Sequence, residues 1–310
     1  MAGVPRASGY PDYGPAGTSN FDPELYSGKL VEKFYKTTVF GEIASTDYEG
    51  EIAGYGAQVK IRTIPDVTVA DYVIGAGLSP QYPTSASVTL AIDQAKSFCV
   101  ALSTVDSRQS DLDLADIFAN DGSIQLRIAA DSDMLETIPA EVSADNSGTT
   151  AGADSNNINL GTSSTPVSIT KTTVLDFIVD CGQVLDEQNV SDEGRWMVIP
   201  PSMTATVKKS DLRIASLAGD ATSIMRNGKI GEIDRFTLYQ SRNLLRQTSP
   251  GPAYYVMFGH SAGLTFASQI VECQMIDNPS DFGYIVRGLM VFGYEVIGPN
   301  YVGTAVVAPS

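Results

Sequence analysis

The sequence is poor in the residues that most enzymes use. Its 310 residues contain one histidine, His260, one tryptophan, Trp196, and three cysteines. A single histidine excludes sites built on two or more imidazoles, which removes many catalytic constellations and transition-metal centres. Cys99, Cys181 and Cys273 are odd in number and far apart, with no CxxC pair, so a zinc ribbon or dithiol redox motif is excluded. They are expected to be buried, reduced thiols. No apolar run reaches the ~18 residues of a transmembrane helix. Met1–Pro23 lacks the apolar stretch of a secretory signal. Positive charge is also scarce, with 20 Lys and Arg against 36 Asp and Glu, a net charge of −16. Such a chain has no general attraction for phosphate backbones or anionic lipid, so neither sequence-reading of DNA nor membrane binding is expected.

What is present is an ordinary globular balance, 43% hydrophobic and 18% charged. At this length two core regions are expected instead of one. The charge is uneven. Residues 101–193 hold 17 acidic and 3 basic groups, net −14, while residues 194–310 hold 8 and 10, net +2. The first twenty residues, punctuated by Gly and Pro and without apolar period, read as an arm that neighbouring chains must hold. A short helix from Pro23 carries Tyr26, Leu30 and Phe34 at four-residue spacing.

Two segments alternate strictly. In Gln58–Ile64, Val59 and Ile61 share one face and Lys60 and Arg62 the other. In Ser87–Asp93, Val88, Leu90 and Ile92 share a face. Two half-buried strands are therefore expected, joined by a long Gly-, Pro- and Ser-rich tip. A two-stranded ribbon is marginal in water, and another subunit is the expected cover for its apolar stripe. Residues 109–138 read as a long acidic helix of ~28 residues and ~42 Å, interrupted near Gly122 and ended by Pro139. Residues 143–166 read as a polar loop. A second helix is expected over 172–188, with Thr173 and Asp176 as a capping box. GRWMVIPP reads as a buried strand stopping at Pro200. Ser210 reads as the N-cap of a short helix toward Leu217. Later strands are expected at Arg235–Tyr239, Tyr254–Phe258 and Gly288–Ile297. The interleaving argues an α+β fold.

Each catalytic option is weak. Gly54-x-Gly56 and Gly75-x-Gly77 lack the third glycine and following helix of a dinucleotide loop, and no P-loop occurs. His260-Ser261 reads as a loop or cap pair, because a nucleophile and its base rarely sit side by side in sequence. Asp111/Asp113 and Asp131/Asp133 lack the EF-hand pattern and read as solvated helix charges. Asp186-Glu187 and Asp192-Glu193 are the acidic pairs best placed for a divalent ion. The expectation is no catalytic residue, no cofactor and no metal. Lys60 and Arg62 on one hairpin face, and Lys208, Lys209 and Arg213 at a strand-to-helix junction, suit contacts with the acidic surface of another copy. Val59, Ile61, Val88 and Leu90 of the hairpin, with Tyr10 and Tyr13 of the arm, complete the candidate inter-subunit contacts.

Several segments resemble one family. VTLAIDQAKSFCVALS resembles the returning hairpin strand of tailed-bacteriophage major capsid proteins. LDEQNVSDEGRWMVIPPSMTATVKKSD resembles their helix, acidic linker and strand. Gly228–Asn243 resembles their G-x-I-G-x-I-x-G-F-x-V-x-x-S-N segment, with Arg235 where that pattern has glycine and Arg242 between Ser241 and Asn243. VRGLMVFGYEVIGPNYVG resembles their closing strand pair. The resemblance covers roughly residues 25–305.

It implies the Hong Kong-97-type (HK97) capsid fold: an N-terminal arm (1–40), an extended hairpin loop (50–100), a peripheral domain with a long spine helix (101–165 with 288–305) and an axial domain (166–287). It also implies a structural subunit that assembles with copies of itself into hexamers and pentamers of an icosahedral head around double-stranded DNA. A portal and, as a further partner, a decoration protein go with that reading. Met1 is present, so a separate scaffolding protein is expected in place of a removed N-terminal region. Lys60 and Lys96 are the lysines of the loop, and no covalent cross-link is expected. The alternatives are a cellular cargo compartment of encapsulin type, a tail-tube or other phage assembly protein, and a hydrolase using two carboxylates.

Overall fold

The computed structural model describes residues 35–48, 58–65, 67–75, 77, 80–85, 87–105, 113–210, 231–249, 251–279 and 281–309. The arm with Tyr10 and Tyr13, the helix from Pro23, and Arg213 with the segment toward Leu217 lie outside the described residues. Three sheets organise the rest. Strands β1 (Gln58–Arg62) and β2 (Ser87–Ala91) form an antiparallel hairpin in the register Val59↔Leu90 and Ile61↔Val88. Strand β3 (Gln94–Ser103) joins β10 (Leu264–Asp277) and β11 (Gly283–Val296) in a three-stranded sheet of order β10-β11-β3.

The seven-stranded sheet runs β4 (Val167–Ile169), β12 (Val302–Pro309), β9 (Ala253–His260), β5 (Arg195–Ile199), β7 (Phe236–Gln240), β6 (Glu232–Ile233), with β8 (Arg246–Gln247) paired to β9. These pairings cut across the segment boundaries read from sequence. Residues 264–277 leave the 166–287 stretch to join the three-stranded sheet, and 302–309 leave the C-terminal pair to join the larger one.

The helices are α1 (Phe40–Ile43), α2 (Leu114–Thr137), α3 (Val174–Glu187) and α4 (Pro201–Lys209). Helix α2 has 24 residues, hence ~36 Å. It is continuous through Gly122, where the missing side chain makes room for a neighbour: a Cβ there would lie 2.4 Å from Cζ of Phe98 on β3. A Cβ on Gly288 of β11 would also strike the Phe98 ring. Two missing side chains therefore make the slot for one aromatic ring between helix and sheet. Asp131, which interrupts the apolar face of α2, is fully buried and accepts hydrogen bonds from three N–H groups. Burial pushes its carboxyl above the ordinary value, against those donors and Lys36.

One expected cap differs, and the helix that Ser210 is expected to start lies outside the described residues. Thr173 makes no side-chain cap to α3, and its Oγ1 accepts from the backbone N–H of Thr170 instead. Pro201 opens α4, where its missing N–H costs nothing. Ser210 ends that helix, its hydroxyl donating to the Val207 carbonyl at 2.6 Å. The polar stretch 143–166 has no long element, yet it buries Asn146, Ala151, Ile158 and Leu160. Of the cysteines only Cys181 is buried; Cys99 and Cys273 are exposed on β3 and β10.

Strand β5 is buried along its whole length and feeds two apolar clusters. Met197 and Ile199 face α3 and α4, while Trp196 and Val198 face α2, β10 and β11. An exposed helical Gly→Ala gains about 1 kcal/mol. At Gly122 the sign should reverse: G122A is expected to destabilise the chain by about 1–3 kcal/mol through overpacking against Phe98. Chemical denaturation reads this directly, and an unchanged or raised midpoint would show that the ring can move aside.

Candidate interaction surfaces

The hairpin divides into a covered base and an uncovered tip. At the base, Leu90 is 0% and Ile61 7% exposed. They pack with Ile92 and Ala267, and with half-buried Tyr48, Val59, Val291 and Ile297. The cover expected from another subunit is thus supplied here by β10 and β11 of the same chain. Ile61 and Leu90 are core residues and are withdrawn as inter-subunit contacts; Val59 and Val88 are half-buried beside them. Burying a side chain such as Leu90 is worth ~1.5–3 kcal/mol, so this seat holds the root of the loop to the body.

Beyond the base the pattern inverts. Ile64, Val69, Ile74 and Tyr82 are 94%, 93%, 89% and 86% exposed, and Val67, Tyr72 and Val73 are exposed with them. The two limbs are tied to each other: Gln81 accepts from the Thr68 N–H and donates to its carbonyl, and Ser85 donates to the Thr63 carbonyl. Gly75 and Gly77 turn the tip at φ of 87° and 75°, values that side chains rarely adopt. Large apolar side chains this exposed on a single loop are unusual for a free surface. The sequence reading pointed to the strands and to a long tip, but not to the tip's apolar side chains. The signal for them was the run Val67-x-Val69-x-x-Tyr72-Val-Ile74, unusual in a loop.

The basic residues are dispersed. Lys60 and Arg62 are exposed on the outer face of β1, opposite Thr89 and Ser87. Lys96 pairs with Asp133 of α2 at 3.2 Å. Lys208 and Lys209 lie in the last turn of α4. They form no single patch with the hairpin cations among the described residues.

The acidic linker after α3 is an ion-pair cluster. Arg195, the first residue of β5, is fully buried and bonds Asp186 at 2.7 Å and Asp192 at 3.1 Å. It also donates to the carbonyls of Val190 and Ser191. Arg235 bonds the same two carboxylates at 2.9 and 2.6 Å. Asp234 and Arg235 have φ of 46° and 67°, as the tight two-residue link between β6 and β7 requires. This explains why the family pattern has glycine at this place and what the arginine gains by standing there. Of the acids named for a divalent ion, Asp186 and Asp192 thus hold guanidinium groups.

Glu187 is cradled by the N–H groups of Asp154 and Ser155, the Ser155 hydroxyl and Gln183. Burial works against its charge, but the Ser155 amide and its companions prevail and hold the carboxyl down to about 2. His260 accepts from the Ala262 N–H through Nδ1, which is the cap arrangement.

No family model and no curated protein matches the sequence. Solved structures do. A chain of Mycobacterium phage Che8 is 26% identical, with a TM-score of 0.77, over 92% of this chain and 97% of that one. A chain of the capsid of cyanophage P-SCSP1u is 14% identical, with a TM-score of 0.72 and 100% of both chains covered. A chain of the mature capsid of bacteriophage PhiM1 is 14% identical, with a TM-score of 0.66, over 100% of this chain and 97% of that one. The chain has the fold of phage capsid chains. Its architecture is the α+β Hong Kong-97 type.

In this chain the Glu187 cradle ties the end of α3 to the 152–155 turn. Its folded carboxyl titrates below the ordinary value, so its contribution is complete above about 4.5 and is lost as pH falls toward about 2. E187Q is expected to flatten this part of the acid-unfolding curve. Wild-type acid sensitivity in that variant would show that the cradle contributes nothing.

Proposed function

We propose that the chain assembles with copies of itself into the hexamers and pentamers of an icosahedral head that encloses double-stranded DNA. The observation that carries the reading is the uncovered apolar tip between β1 and β2, where seven large apolar side chains are exposed among the described residues while its base is anchored. A surface of this kind is stable in solution only when another molecule covers it, and a neighbouring copy is always at hand in a shell. Exposed Lys60 and Arg62 would steer the loop toward carboxylates of that neighbour. Lys208 and Lys209 at the end of α4, Arg213 beyond it, and Tyr10 and Tyr13 of the arm are proposed as further contacts.

The peripheral domain of this proposal is α2 with the β10-β11-β3 sheet, and the axial domain is the seven-stranded sheet with α3 and α4. The net −14 of residues 101–193 suits a wall that packaged DNA does not adhere to, held without sequence-specific contact. A scaffolding protein, a portal and a decoration protein are the partners such a head would use.

Negative-stain microscopy of the expressed chain tests the assembly. Closed icosahedral particles are expected, and tubes or active, monodisperse monomers would overturn the proposal. Changing Ile64, Val69 and Ile74 together to serine is expected to abolish closed particles. The subunit's own stability should stay within about 0.5 kcal/mol, because all three are exposed. Normal shells from this variant would remove the tip from the contact.

A further inference from the structure

Edge strand β10 leaves one side of its backbone bare. At its start that side is used: the Leu264 carbonyl accepts from the Ser45 N–H at 2.8 Å, and the Phe266 N–H donates to the Ser45 carbonyl at 3.0 Å. The bulge between Ser268 and Ile270 then moves the alternation by one residue. From there Glu272 and Gln274 face Leu289 and Arg287 of β11, and the N–H and C=O groups of Cys273 and Met275 turn outward. No backbone bond from another segment reaches those two residues among the described residues. An unpaired edge is a template for an extended chain, and natural edges are commonly guarded by lysine or proline. The stretch from Ala267 to Ile276 has neither.

Beside that edge, between β10 and α2, lies a cleft of about 370 Å³. Phe98, Leu126, Phe266 and Met290 line it, with Cys273 and Arg127 among its walls. Arg127 is exposed and forms no ion pair among the described residues. The acid at the rim, Glu272, accepts from Gln274 at 3.1 Å. A bare strand edge next to an apolar cleft walled by a helix suits a peptide that adds as a strand. Backbone bonds then give affinity, and alternate side chains fill the cleft.

The hairpin tip carries a matching chain. Thr68 spends its backbone N–H and C=O on Gln81, so in an extended limb those of Val67 and Val69 face the opposite way. Val67 and Val69 alternate with Thr68 and Ala70, and Asp71 follows on the valine side. All three are exposed, so the chain does not seat its own limb in its own cleft. We propose that residues 67–71 of a second copy add as a strand to the β10 edge, with Val67 and Val69 over the cleft and Asp71 paired to Arg127. Opposite charges at the two ends of the contact fix its register. This rests on the assembly reading above and names the surface that receives the tip.

The yield of closed particles from the full chain, read by sedimentation and negative stain, tests it. D71R sets two guanidinium groups against each other, and R127D sets two carboxylates. Each is expected to lower the yield by about 10-fold or more. The double variant D71R/R127D restores opposite charges and should return to within about 3-fold of wild type. M275P removes an outward N–H that β11 does not use, and it is expected to cost about 10-fold in yield as well. The charge exchange involves exposed side chains only, so it reads the pairing without proline. Single charge variants that assemble normally, a double variant that does not recover, or normal shells from M275P would each overturn the strand addition and leave the assembly reading standing. A wild-type chain that stays monomeric overturns both.

Discussion

Strand β5 is the constraint on which the body depends. Five consecutive residues are buried, and the two-residue period of a strand sends alternate side chains to opposite faces. Met197 and Ile199 therefore join one apolar cluster, and Trp196 and Val198 the other. A strand buried on both faces cannot also satisfy an exposed charge, yet its first residue is an arginine. The acidic linker resolves this. Asp186 and Asp192 neutralise Arg195 at the point where the strand enters the sheet, and Arg235 closes the pair from the neighbouring β6–β7 link. A buried cation stripped of its partners would be penalised by several kcal/mol. The acidic segment before the strand is thus part of how the strand is placed.

What could be read in the sequence follows from range. The hairpin strands, α2 and α3 show local periods, and those periods persist in the structure. Strand β10 shows none, because the bulge between Ser268 and Ile270 shifts its alternation midway. Residues 143–166 read as open loop because their apolar members, Ala151, Ile158 and Leu160, are spaced irregularly and find partners only through β12 and α3. Asp131 reads from the sequence as a solvated helix charge, yet it is buried. Its partners lie 92 and 112 residues away, beyond any local pattern. The expected cover for the hairpin was misplaced for the same reason, since Ala267 and Val291 come from strands almost two hundred residues downstream.

The resemblance that named the fold also marked positions whose purpose only geometry explains. Ser241 and Asn243 stand in a recurring segment of the family pattern, and here they hold Thr37 and Asp131. Arg235 departs from that pattern at a left-handed backbone position. Glycine would relieve the strain there, but it could not reach Asp186 and Asp192.

The excess negative charge of the middle third divides by the same reasoning. Asp131 is spent on amides inside the protein, Asp133 on Lys96, Asp186 and Asp192 on two arginines, and Glu187 on the 154–155 turn. These groups are committed to structure and project little field into solvent. Asp176 and Asp180, near each other on α3, are different. Burial pushes the Asp180 carboxyl up, and the charge of Asp176 adds to this. Groups that repel each other are kept only where the fold tolerates the cost or a surface gains from the field. Glu193 of the linker is exposed as well, so the outward field of this segment draws on linker and helix acids alike, and a wall that repels a polyanion would have to present both.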